Sequence, residues 1–115
     1  MSEAYEKPHR LDTGDELDAL VAECDVLLVD FYTKGCTLCQ SIEPIVGNVA
    51  RATTATVAML NPQTDLDLVD EYDIKGVPTL LLFEDGELVG RMASGFEGTE
   101  VVVTFVTENS SAERR

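Results

Sequence analysis

The chain has no tryptophan, one histidine (His9), three cysteines and three lysines (Lys7, Lys34 and Lys75) among 115 residues. Each scarcity removes a class of function. Eight basic residues against 22 acidic ones leave a formal net charge of −14. Such a surface repels nucleic-acid phosphates and anionic lipid, so neither nucleic acid nor a membrane is an expected partner. A cysteine-protease scheme needs a histidine beside the nucleophile in the folded core, and His9 stands in an N-terminal stretch of mixed charge next to Pro8. No apolar run approaches the roughly 20 residues that cross a bilayer. The stretch from Met1 to Lys7 has no positively charged region leading into an apolar segment, so no secretory signal is expected. The expected compartment is the cytoplasm, where thiols stay mostly reduced and a Cys-x-x-Cys pair is more often catalytic than structural.

Acidity with scarce lysine matches the composition of proteins from salt-loving archaea. At about 1 M salt the Debye length falls to about 3 Å, which screens repulsion between surface carboxylates. A chain of this length can bury a modest core without staples. We expect one domain over residues 13–109, with a loose arm at 1–12 and a frayed tail at 110–115.

The periodicity predicts the elements in order. Thr13 and Glu16 read as a capping box opening a helix over 15–23, with Leu17, Leu20 and Val21 on its buried face. Val26-Leu27-Leu28-Val29-Asp30-Phe31-Tyr32 is apolar except at Asp30 and suits a central strand buried on both faces. After Gly35, helical spacing returns from Cys36 to about Ala52, with a kink expected at Pro44. A second strand over 56–60 ends at Asn61-Pro62, and a short helix over 65–72 carries Leu66, Leu68 and Val69. A strand over 79–83 meets Asp85-Gly86, the strongest hairpin signal in the chain, and returns over 87–93. Residues 94–98 read as a loop. The branched run from Thr99 to Val106 favours a strand by propensity, but the surrounding architecture favours a terminal helix capped by Thr99, which is the reading adopted. The order implies an α/β fold: a central mixed β-sheet with a parallel core, antiparallel strands joined at the hairpin, and helices on both faces.

Cys36 and Cys39 fall where the buried strand gives way to a helix. Residues three apart share one helical face, so the two sulfurs can meet. Cys36 lies at the first helical turn, where free N–H groups and the helix dipole favour negative charge on its sulfur and make it the attacking thiolate. Cys39, one turn deeper, is the natural resolving thiol. The rival reading of the pair as half a zinc site needs two further ligands, and only Cys24 and His9 are available. Cys24 itself reads as a buried, inert thiol.

The central strand with Asp30, Cys36-x-x-Cys39, Pro44, Gly76-Val77-Pro78-Thr79 and Phe83-Glu84-Asp85-Gly86 together resemble the thioredoxin family, in order and at family spacing, over about residues 13–108. The resemblance implies a thioredoxin fold and a protein-disulfide reductase without metal or cofactor, served by a thioredoxin reductase or equivalent donor; the sequence is silent on oligomeric state, and a monomer is assumed. It implies catalytic roles for Cys36, Cys39 and Asp30, which stands six residues before the first cysteine. A carboxylate in a buried strand should have a raised pKa, fitting it to exchange a proton with Cys39 through a water; the bland alternative is an Asp that reaches solvent at the strand end. Pro78 matches the family's cis-proline, where residues alone would suggest an ordinary trans proline. Gly35, Val77, Pro78 and Gly95 would form the substrate-binding patch. A specialised oxidant, isomerase or glutathione-linked exchanger, or a binding module that uses its thiols little, are the rival functions.

Three features depart from the family pattern. Gly35 replaces the usual tryptophan, Thr37-Leu38 replaces Gly-Pro, and Met59 replaces a lysine near the buried Asp. A proline at the second helical position would lack the N–H that Leu38 offers to a Cys36 N-cap. Leu38 is therefore expected to stabilise the thiolate and make the pair more oxidising, at about 30 mV per 1.4 kcal/mol. Met59 removes a positive charge that could favour ionised Asp30, so its pKa should lie higher than with a lysine there.

Overall fold

The computed structural model describes residues 7–93 and 97–115. Its strands are β1 (His9–Leu11), β2 (Val26–Phe31), β3 (Thr56–Leu60), β4 (Thr79–Glu84) and β5 (Glu87–Met92). Its helices are α1 (Gly14–Glu23), α2 (Thr37–Ala52), α3 (Asp67–Glu71) and α4 (Thr99–Asn109), with a 3₁₀ turn at Pro62–Thr64.

The strands form one mixed sheet in the order β1-β3-β2-β4-β5. β1 and β2 run parallel to β3, while β4 runs antiparallel to both β2 and β5. Side chains alternate across a strand, and β2 distributes them accordingly. Leu27, Val29 and Phe31 pack with Leu17 of α1 and Leu68 of α3, whereas Val26 and Leu28 pack with Ile42 and Val46 of α2 and Val103 of α4. Asp30 has the parity of Leu28, so it points toward the α2 side.

Local signals act as the sequence predicts. Thr13 and Glu16 make both halves of the capping box at the start of α1. The β4–β5 turn places Asp85 at φ 52° and Gly86 at φ 86°, the pair of positive φ values that a tight hairpin demands. α2 covers Thr37–Ala52, the stretch in which helical spacing returns after Gly35, with Pro44 inside it.

Other segments differ from expectation. The arm holds β1, because the outer edge of β3 has backbone groups to pair: His9, Arg10 and Leu11 lie in register with Ala58, Met59 and Leu60. The tail is tied down rather than frayed. Thr54 N–H donates to Glu113 O at 2.9 Å, Arg115 N–H donates to Ala52 O at 2.8 Å, and Ala112 is buried in the α2–α4 core. The helix expected at 65–72 is shorter, and Leu66 is exposed. The valine-rich segment is helical because Val102, Val103 and Val106 bury one face on the sheet, and tertiary burial outweighs β propensity. Gly98, not Thr99, is its N-cap; the Thr99 hydroxyl instead accepts a hydrogen bond from Asn48 Nδ2 at 3.1 Å.

Candidate active site

Chain direction reverses between β2 and α2, and Gly35 makes this possible. Its φ is +81°, a left-handed conformation that costs glycine nothing sterically. Cys36 follows as the N-cap of α2, with extended backbone. Its Sγ accepts a hydrogen bond from the Cys39 N–H at 3.1 Å. An N-cap acceptor can reach the amide of either N2 or N3, and here it reaches N3. This corrects the expectation that Leu38 supplies the donor: Leu38 is at N2 and is 46% exposed.

Both cysteines are free thiols; Cys36 is half-buried and Cys39 buried. The Cys36 thiol also faces the Val77 carbonyl, with Sγ to O at 4.0 Å, and the Val77–Pro78 peptide is cis. Cys39 has its pKa pushed up to about 12. Burial is the main cause, followed by the hydrogen bond with Cys36, while a backbone hydrogen bond from Thr33 works the other way. Cys39 thus holds its proton at neutral pH and needs a base before it can attack.

A carboxyl lies beneath it. Asp30 is 0% exposed, and among the described residues neither of its oxygens has a hydrogen-bond partner. The sheet register gives the reason: its cross-strand neighbours are Met59 on β3 and Leu80 on β4, both apolar. Burial pushes its pKa up to about 7, with the Glu43 charge adding to the rise and Arg10 opposing it. The solvent-reaching alternative for Asp30 is excluded by its burial.

Two clefts lie at the site, one beside the Val77 that Cys36 faces and one reaching Cys39. One, of about 430 Å³, is lined by Gly76, Val77, Pro78 and Thr79. The other, of about 270 Å³, is lined by Gly35, Cys39, Gln40 and Glu43. The structure thereby brings Gly35, Cys36, Cys39, Val77 and Pro78 together around the thiols, with Asp30 below. Gly95 lies outside the described residues. Cys24 is half-buried rather than buried and packs in the core beneath α1, with burial raising its pKa. Among the described residues no group of three or more His, Cys, Asp or Glu side chains could hold a metal ion.

A family model described as thioredoxin matches residues 10–108. The chain belongs to the thioredoxin family. As a member of that family it is a thiol–disulfide oxidoreductase. It is 32% identical to a solved single-site mutant of a thioredoxin from Halobacterium salinarum, with a TM-score of 0.88 and 96% of each chain covered. It is 26% identical to the thioredoxin of Chlamydia pneumoniae, over 88% of this chain and 98% of that one. A probable protein disulfide-isomerase A6 from Medicago sativa is 33% identical over 76% of this chain, which spans only 25% of that longer protein. No helix among the described residues is long and apolar enough to cross a membrane.

Within this thioredoxin-family site, sequence reasoning missed Arg10 and Glu43. Arg10 Nη2 donates to Glu43 Oε2, across 33 positions of sequence, and both residues line the cleft that contains Cys39. An Arg in an unassigned arm and a Glu on a helix carry no local signal for such a pair.

Proposed function

We propose that the chain reduces disulfides in other proteins through Cys36 and Cys39. The observation that carries this reading is the Cys36 sulfur seated on the N-terminus of α2, accepting the Cys39 amide, where backbone amides stabilise negative charge. The Cys36 thiolate attacks one sulfur of a substrate disulfide; a bond forms between Cys36 and that sulfur, and the other substrate sulfur leaves as a thiolate and takes up a proton. Cys39 then gives its proton to Asp30 by way of a water and attacks the Cys36 sulfur. The Cys36–Cys39 disulfide forms as the bond between Cys36 and the substrate breaks, the second substrate sulfur leaves as a thiolate and takes up a proton, and the substrate has gained two electrons and two protons. A thioredoxin reductase or equivalent donor returns the pair to dithiol. Val77 and Pro78 line the approach to Cys36, and the Val77 backbone is placed to pair with an extended substrate segment.

The chain acts as a monomer in the cytoplasm of a salt-loving archaeon. The acidic composition and the likeness to the Halobacterium salinarum protein support that setting. The test is insulin reduction with purified variants. Cys39→Ser should accumulate a mixed disulfide with substrate, and Cys36→Ser should accumulate none and lose activity. Trapping through Cys39 instead, or full activity without Cys36, overturns the assignment. Glutathione run in parallel as reductant separates this reading from a glutathione-linked exchanger.

A further inference from the structure

A single row of side chains crosses the sheet beneath the thiols. Arg10 on β1 is in register with Met59 on β3, and Met59 is in register with Asp30 on β2. Adjacent strands lie about 4.8 Å apart, so Arg10 and Asp30 are separated by one buried, uncharged residue and about 10 Å of backbone. On the helix above, Glu43 follows Cys39 by four positions, which puts both on one face of α2. Its carboxylate pairs with the Arg10 guanidinium. These two side chains line both the cleft that reaches Cys39 and a neighbouring cleft of about 440 Å³ that reaches Met59. Together with Gln40, which also lines both, the pair forms the polar wall between the two clefts, on the solvent side of the buried carboxyl.

We propose that Arg10 and Glu43 are positioning residues for the resolving step, holding two opposed charges beside the covered Asp30 and so governing how readily it takes and gives up the proton. Fold stability gives no other account of the pair. Its side chains are 58% and 47% exposed, and exposed ion pairs contribute little. The other elements around Asp30 bring no competing charge. β4 presents Leu80, and α4 presents Val102, Val103 and Val106 to the same core. The remaining titratable groups that line the two clefts are Tyr32, Lys34 and Cys39 in the smaller one and Lys7 and Arg51 in the one that reaches Met59. The two charges act in opposite senses, Glu43 raising the proton affinity of Asp30 and Arg10 lowering it. Their balance, rather than either alone, sets the working value. The pair is open to solvent, so its hold on Asp30 should weaken at about 1 M salt, where screening acts within about 3 Å.

The proposal rests on Asp30 as the proton acceptor for Cys39, and its test separates the two. The Asp30 side-chain carboxyl is titrated by carbon NMR in the reduced full chain, at the lowest salt that keeps it folded and again in molar KCl. Arg10→Gln should raise the midpoint and Glu43→Gln should lower it, each by a few tenths to about one pH unit, with Arg10→Lys staying near the parent. The pH profile of mixed-disulfide resolution should move in step. Midpoints that stay put, or that move in the same direction, overturn the proposal; if Asp30→Asn still alters the resolution profile, the role of Asp30 stands. Midpoints that move while the profile does not would instead overturn Asp30 as the proton acceptor, and the role of the pair in resolution with it.

Discussion

Replacing Asp30 with Asn tests the central feature of the site through stability alone. The folded chain raises this carboxyl from the ordinary 3.8 to about 7, because burial among apolar neighbours disfavours its charge. Between those two values the folded state holds a proton that the unfolded state has released, so stability falls as pH rises. Below the lower value both states are protonated and the cost is absent; above the higher value it is fully present. A separation of about three units corresponds to about 4 kcal/mol, a large share of the roughly 5–15 kcal/mol that holds a domain folded. Of this, about 2–3 kcal/mol should appear between pH 5 and pH 8. Asn has nearly the same shape and does not titrate. Urea unfolding of the reduced protein at constant molar KCl, at pH 5 and pH 8, should show the parent losing that much stability relative to Asp30→Asn. The unpaired buried amide adds a pH-independent cost of about 1–3 kcal/mol, which cancels in the comparison. Parallel pH dependence in the two proteins would refute the reasoning, because it would mean that Asp30 ionises as easily folded as unfolded.

Leu38→Pro should move the reduction potential of the Cys36–Cys39 couple by less than about 30 mV, since the amide reaching Cys36 belongs to Cys39 and proline is tolerated in a first helical turn. Equilibration against a glutathione buffer reads it, and a shift toward a more reducing couple by about 60 mV or more would restore Leu38 as the decisive donor. The melting temperature should rise between dilute buffer and molar KCl, because salt screens the repulsion within a net charge of −14. A midpoint no higher in molar KCl would remove the halophilic setting.

The residues themselves determined everything that a few neighbouring positions can encode. The capping box at Thr13 and Glu16, the hairpin at Asp85-Gly86, the burial of β2 and the placing of Cys36 and Cys39 at a strand-to-helix junction all depend on short-range sterics and hydrogen bonding. Only the tertiary structure decided the contacts that span the chain. Arg10 meets Glu43 across 33 positions and Cys36 faces Val77 across 41, and β1 exists because β3 offers it an edge. The valine run became α4 because burying three valines against the sheet outweighs a propensity of about 1 kcal/mol or less. The choice of the Cys39 amide over that of Leu38 turned on a side-chain direction that spacing cannot specify. Local chemistry is written along the chain, whereas the charges around a buried carboxyl are set by whichever distant segments packing brings beside it.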